Sequence, residues 1–383
     1  MAAAGRSTKT EFRVYGETFR IDSKYEPVKA LGKGAYGVVC AAKNKETGTV
    51  VAIKRVSPMC SSATDGKHTL REIRMMRYLG RHENVISLKD LVVSEREDAI
   101  YVFMSLCDSD LHKIIVSKQT LTEAHYKHFM FQLLRGLRFA HNNGIIHRDL
   151  KPANLLVTKD CRLRISDFGL SRLAPDETDA IMTEHVVTRW YRAPELMLSA
   201  DGCYSAIIDV WSCGCILAEL LLRKPLFPGK DFKEQLRLIF NVFGKPSMDK
   251  LDYVKSREAL EFVESMGPIP GTDPRSVFPD ASEDALDLLL KMLTMYPPER
   301  ISVEGALAHR YFDDVRDQYE DPDPVLPPEF EFSFEKEELS LADYKALIRE
   351  EALSFKRERA ERGRRRKERH GLTVESAAAA ASP

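Results

Sequence analysis

The apolar pattern changes character once, near Asp108, and that change restricts the folds open to the chain. Between Tyr25 and Val102 the apolar runs are short and rich in β-branched residues, at 26–31, 38–42, 50–56, 87–93 and 100–103. One helix interrupts them near 68–79, with Leu70, Ile73, Met76 and Leu79 on one face. This part predicts a small sheet with a single helix. After Asp108 the pattern turns helical. Tyr126, Phe129, Met130, Leu133, Leu134 and Leu137 repeat at helical spacing, with Thr122 placed as N-cap. The stretch 207–222 is apolar nearly all round, as a helix at the centre of a lobe would be, while 232–243 and 283–292 read as amphipathic helices. Proline and glycine punctuate 244–280, which reads as an inserted loop with a weak helix. The class expected is α+β, β-rich first and helical after.

At 383 residues the chain can bury a sizeable core in one large or two cooperating lobes. The 57 Lys/Arg and 58 Asp/Glu leave a net charge of −1, unevenly placed. Nine Lys/Arg and three Glu between 356 and 369 give that run +6, so the remainder carries about −7 and does not have the charge of a nucleic-acid-binding body. The run fits a nuclear import signal, a polyanion-binding arm, or a solvated helix laced with i,i+3 and i,i+4 pairs through Glu358, Glu361 and Glu368. Beyond Phe355 the tail is expected to be helical or disordered, outside the core, and residues 1 to about 20 a loosely ordered extension. Seven scattered cysteines, mostly within apolar runs, read as buried thiols in a reducing compartment, and zinc is not expected. The most apolar stretch, 213–222, is too short to span a bilayer and contains Glu219, so no membrane insertion is expected.

Three strings carry chemistry. Residues 32–39 contain G-x-G-x-x-G-x-V. Dinucleotide-binding proteins share that glycine spacing, but there the turn opens a helix, whereas 38–42 continues as a strand. The glycines therefore sit in a β-hairpin, where backbone amides can approach phosphates closely. Lys54, in Val51-Ala52-Ile53-Lys54, lies inside a strand otherwise buried and needs anionic partners; Glu72 on the 68–79 helix is the candidate carboxylate, with phosphates as the other. Residues 147–154 read His-Arg-Asp-Leu-Lys-Pro-Ala-Asn, and Asp167-Phe168-Gly169 begins thirteen residues after Asn154. Together they supply what phosphoryl transfer from ATP to a hydroxyl requires. Asp149 orients the acceptor hydroxyl, Lys151 neutralises charge on the moving phosphate, and Asn154 and Asp167 hold Mg2+.

At these strings the chain resembles the eukaryotic protein kinases over about 25–312, and within them the mitogen-activated protein (MAP) kinases of the extracellular-signal-regulated type. The closer resemblance rests on Thr69-Leu70-Arg71-Glu72-Ile73, Arg81-His82-Glu83-Asn84-Val85, the segment 188–195 (Thr-Arg-Trp-Tyr-Arg-Ala-Pro-Glu), and the late strings 285–289, 292–294 and 298–300. It implies a bilobal fold, with a small β-rich lobe at 25–104, a hinge at 105–108 and a larger helical lobe at 109–312. The insertion lies at about 244–280, an extension at 313–355 docks partners and wraps back on the small lobe, and the basic tail follows. The resemblance implies ATP contacts from Leu31, Gly32, Lys33, Gly34, Ala35, Tyr36, Gly37, Val39, Ala52, Lys54, Leu106 and Leu156. Met104 would lie behind adenine, Ser105–Cys107 would pair its edge, and Asp110 would contact the ribose. Glu195 would pair with Arg300 inside the large lobe.

Regulation is also carried over by resemblance. Thr183 would be the activating phosphosite, received by Arg71, Arg148 and Arg172. Where the family has Thr-x-Tyr, this chain has Thr183-Glu184-His185, so Arg189 and Arg192 keep the phosphotyrosine-binding positions without their anion. Single phosphorylation of Thr183 is then expected to suffice, with some activity before it. A protonated His185 cannot replace a phosphate, because it repels both arginines. Arg192 implies Ser/Thr-Pro substrates, and the acidic Glu320, Asp321 and Asp323 a docking patch for basic motifs of an upstream MAP kinase kinase, phosphatases and substrates. A cytoplasmic and nuclear location is expected. A cyclin-dependent-type kinase fits the insertion and extension less well, and a pseudokinase scaffold would lack at least one of Lys54, Asp149, Asn154 or Asp167, all of which are present.

Overall fold

A computed structural model describes residues 9–34, 37–173, 189–198, 205–319 and 332–380, the last fifteen of these by backbone only. The chain forms two compact units. One comprises 1–77, 87–106 and 332–383, the other 78–86 and 107–331.

The first unit is built on a five-stranded antiparallel sheet. Its strands run in the order Tyr25–Gly34, Gly37–Asn44, Val50–Val56, Ala99–Ser105, Leu88–Ser94. Side chains alternate between faces along each strand. Val38, Cys40, Ala42, Val51, Ile53, Tyr101 and Phe103 belong to one apolar cluster. The register pairs Lys54 with Val39 and Val102, and Ala52 with Ala41 and Met104, so these residues share the opposite face. Lys54 is thus carried on the face away from the cluster.

Residues 9–22 correct the expectation of a loosely ordered extension. Lys9–Val14 and Glu17–Asp22 form an antiparallel hairpin in which Phe12 pairs with Phe19. Their rings stack at 5.3 Å, and Phe19 is fully buried against Tyr101. The alternation Phe12, Val14 and Phe19, Ile21 is enough to seat so short a ribbon on a sheet already formed.

The helix Ala63–Tyr78 starts five residues earlier than the apolar pattern predicts. Its first turn holds poor helix formers but is capped, the Ser62 hydroxyl accepting the Asp65 amide at 3.1 Å. Leu70, Ile73 and Met76 are buried as expected. The C-terminal extension supplies a short turn at Ser333–Lys336 and then the helix Leu341–Ala380, forty residues long. Tyr344, Ile348, Glu351, Ala352 and Phe355 form its buried stripe. Of the two states expected for the tail, the helical one holds. Its first turn is not outside the core, because Glu358 pairs with Arg77 and Arg359 with Asp90.

In the second unit Ile207–Leu222 is buried from Ile208 to Leu220, and Glu123–Asn142 and Glu283–Met292 pack against it. Thr122 caps its helix through a reciprocal box with His125. The 244–280 stretch carries a regular helix, Arg257–Ser265, anchored by buried Val263. Gly271, at φ 82°, lies so close to Gly244 that a Cβ would meet its amide nitrogen at 2.6 Å.

Candidate active site

The second unit brings the phosphoryl-transfer string together around one buried carboxylate. Asp209, near the start of Ile207–Leu222, accepts the backbone amides of His147 and Arg148, both at 2.8 Å, and His141 Nε2 lies 2.9 Å from it. Burial alone raises a carboxyl's pKa, but here the contact with His141 and the hydrogen bonds to the backbone outweigh it, leaving Asp209 below its usual range. Arg148 can then hold φ at 71°, a left-handed conformation that turns the chain sharply before Asp149.

Asp149 Oδ2 accepts from Lys151 Nζ at 2.7 Å and from Asn154 Nδ2 at 3.1 Å. Asn154 Nδ2 also donates to the Asp149 carbonyl at 2.9 Å, and the Asn154 carbonyl accepts from Ser166 N and Oγ. The strand pair Leu155–Val157 and Leu163–Ile165 closes the hairpin that delivers Asp167, itself left-handed at φ 64°. Phe168, fully buried, packs its ring 4.8 Å from that of His147, whose Nε2 lies 3.0 Å from the Ser166 carbonyl. Asp149, Lys151, Asn154 and Asp167 are therefore assembled by short-range contacts.

The donor set suits a hard cation. Asn154 spends its amide nitrogen on Asp149, which leaves its oxygen, with the Asp167 carboxylate, as the ligand types Mg2+ prefers. Among the described residues no group of three or more His, Cys, Asp or Glu forms a separate metal cluster.

In the first unit Lys54 Nζ lies 2.8 and 2.9 Å from the two oxygens of Glu72. Val39, Ala52 and Met104 share its face of the sheet. The hairpin register sets Gly32 against Val39, Lys33 against Val38 and Gly34 against Gly37, with Leu31 half-buried just before. Gly37, at φ 125°, admits no side chain, since a Cβ would lie 2.1 Å from the Arg55 carbonyl oxygen. Gly32 and Gly34 face open space instead, as backbone that cradles phosphates would. Ser105 is tied to Ser87 through its amide at 3.1 Å and its hydroxyl at 2.6 Å. Leu106 closes this unit's share of the hinge, while Cys107 belongs to the second unit. There Leu156 pairs with Asp110, whose carboxylate caps the helix Leu111–Val116 through the Lys113 amide at 2.9 Å.

Of the residues expected to receive a phosphothreonine, Arg172 lies on a strand paired to Ile146, two residues before Arg148. Arg71 lies in the first unit, on the helix Ala63–Tyr78. It already holds Glu335 of the extension in a bidentate pair, at 2.5 and 2.6 Å. Glu195 and Arg300 meet, buried, at 2.5 and 2.9 Å. Arg189 and Arg192 flank one tight turn, the Arg192 amide donating to the Arg189 carbonyl at 3.0 Å. Ala35, Tyr36, Thr183, Glu184, His185, Thr188, Glu320, Asp321 and Asp323 lie outside the described residues.

Two residues in these networks escape the sequence reading. Asp209 leaves a signal, a carboxylate inside a helix apolar nearly all round. Glu335 leaves none, because its partner is 264 residues away.

Fold, lysine–glutamate pair and catalytic string together define a protein kinase, and residues 25–312 match the family model described as protein kinase domain. Mitogen-activated protein kinase 6 of Oryza sativa subsp. japonica is 45% identical over 348 residues, covering 90% of this chain and 91% of that one. Mitogen-activated protein kinase 4 of Arabidopsis thaliana is 45% identical over 349 residues, covering 90% and 91%, and extracellular signal-regulated kinase 1 of Dictyostelium discoideum 44% over 345 residues, covering 89% and 64%. The chain belongs to the mitogen-activated protein kinase family and is a protein serine/threonine kinase.

Proposed function

We propose that this kinase transfers the γ-phosphate of ATP, with Mg2+, to serine or threonine followed by proline in protein substrates of a signalling cascade. The observation that carries the reading is the bidentate contact of Lys54 with Glu72, which holds an otherwise costly ammonium ready for the α/β-phosphates. Mg2+ would supply positive charge to offset that of the phosphates. Asn154 and Asp167 would hold it, Lys151 would neutralise the charge of the moving phosphoryl group, and Asp149 would orient the acceptor hydroxyl and take its proton. Arg192 supports the proline preference.

Activation by phosphorylation of Thr183 fits Arg71, Arg148 and Arg172 as receivers, Arg71 being paired with Glu335 in the unphosphorylated chain. Because His185 replaces the tyrosine, one phosphorylation suffices and some activity precedes it. Glu320, Asp321 and Asp323 dock basic motifs of the upstream kinase, phosphatases and substrates. Working sites in cytoplasm and nucleus follow from the same reading.

The test is transfer from labelled ATP to peptides bearing Ser-Pro or Ser-Ala, by wild type, phosphatase-treated enzyme and Thr183→Ala. Transfer confined to Ser-Pro and strongest in the phosphorylated enzyme is expected. Equal use of both peptides removes the proline preference, and equal rates in all three samples remove Thr183 from the mechanism.

A further inference from the structure

The helix Ile207–Leu222 ends on Arg223, at φ 59° and ψ 20°, a left-handed conformation that glycine or asparagine usually takes past a helix end. The use of arginine here lies in its side chain. The guanidinium donates to four carbonyls of one neighbouring segment. Nε reaches Ile115 and Nη2 reaches Ser117, both at 2.7 Å. Nη1 reaches Gln119 at 3.0 Å, and Nη2 also reaches Ile114 at 3.3 Å. Ile114 and Ile115 belong to the helix Leu111–Val116, whose closing carbonyls need partners from outside it. One turn before Arg223, the buried Glu219 lies 4.0 Å from His112 Nδ1, near the other end of that helix.

Leu111–Val116 has six residues, less than two turns, and is too short to hold its shape unaided. Buried Leu111 and Ile115 seat it, and it packs against the turn Pro152–Asn154 of the catalytic string. Its N-cap is Asp110, whose carboxylate accepts the Lys113 amide at 2.9 Å and lies 2.8 Å from Lys113 Nζ. Asp110 thus takes its place from the helix it caps, and Arg223 closes the far end of that helix.

We propose that Arg223 is a positioning residue for the nucleotide: by fastening the C-terminal end of Leu111–Val116, it sets the Asp110 carboxylate where the ribose hydroxyls meet it. A planar, rigid fork suits the task. It reaches carbonyls of the helix and of the bend that follows at once, which a single ammonium cannot do with the same geometry. The proposal rests on the kinase reading above, with Asp110 as its ribose contact.

The test is calorimetric binding of ATP and of 2′,3′-dideoxy-ATP, with Mg2+, to the full chain, a readout that needs no turnover. Arg223→Gly is the informative variant, because glycine is at ease at this φ and only the guanidinium is lost. Wild type should prefer ATP to the dideoxy analogue about 5- to 10-fold, the worth of hydrogen bonds to one carboxylate. Arg223→Gly should bind ATP no better than the analogue, with affinity for the analogue within about 2-fold of wild type. Its 111–119 amides should exchange faster, and Arg223→Lys should recover part of the preference for ATP. Equal weakening of both nucleotides, as a merely structural role would give, overturns the proposal, and so does a preference kept in Arg223→Gly. A wild type that binds both nucleotides equally removes Asp110 as the ribose contact and the role of Arg223 with it. A wild type that shows the preference but transfers no phosphate overturns the kinase reading, while the binding ratio still decides the role of Arg223.

Discussion

The catalytic string around Asp149 and the Lys54–Glu72 pair serve one reaction but are held by different devices. The string is held from within. Asp209 fixes two backbone amides, and Asn154 donates to both the carbonyl and the carboxylate of Asp149, five residues before it. Glu72 of the pair lies on a helix whose arginines meet carboxylates more than 260 residues later in the chain, at Glu335 and Glu351. An ionised carboxylate that accepts two successive backbone amides fixes the turn they belong to. A helix clamped by ion pairs can be released by removing one partner, at a cost of about 3–5 kcal/mol when the pair is buried. The first region is built to stay in place and the second can be adjusted.

Substitutions can break the contrast, beginning with the largest effect. Asp149→Asn should lower kcat about 10²- to 10⁴-fold while leaving the thermal midpoint within a few degrees of wild type, since it removes a proton acceptor and no packing. Asp209→Asn should act on stability, lowering the urea unfolding free energy by about 3 kcal/mol, because asparagine keeps one acceptor oxygen and its amide nitrogen cannot accept the second of the His147 and Arg148 amides. A loss confined to activity, with stability intact, would contradict the cage. Gly66→Ala should cost about 1–3 kcal/mol despite alanine's better helix propensity, as Tyr344 is pushed away. A gain in midpoint would show that the two helices are not in close contact.

Acid offers a finer comparison. Asp209 is held below its usual pKa, so its contribution to stability is present above the ordinary carboxylate range and is lost as pH falls through the lower folded value. The stability gap between wild type and Asp209→Asn should be constant from neutral pH down to about 5 and close below about 4. A gap that widens in acid reverses the sign and sinks the assignment. As the smallest effect, Arg257→Ala, which breaks an exposed i,i+4 pair with Glu261, should change stability by less than about 0.5 kcal/mol.

The same contrast explains what could be read from sequence. The catalytic string was legible because its chemistry needs particular residue types at short spacing, and Val50–Val56 was legible as a short apolar run rich in β-branched residues. Asp209 was half-legible, as a carboxylate where none should be exposed to apolar surroundings. The hairpin at 9–22 was missed because four alternating apolar residues make a strand only when a sheet receives them. The arginine–glutamate clamp was out of reach. Neither Arg71 nor Glu335 breaks a local pattern, and only the fold reveals that they are buried partners. Gly66 gave no warning either, because the apolar pattern starts the helix only at 68 and the fold alone places this glycine against a tyrosine 278 residues further on.

The direct measurement is native-state hydrogen exchange of the wild-type chain through a urea series. The amides of 63–78 and 341–355 should open together, as one cooperative unit at one free energy, below that of Ile207–Leu222 and the 145–150 segment. If 341–355 opens first while 63–78 keeps the protection of the central sheet, the extension does not hold the helix that carries Glu72, and the account of how the Lys54–Glu72 pair is kept in place fails.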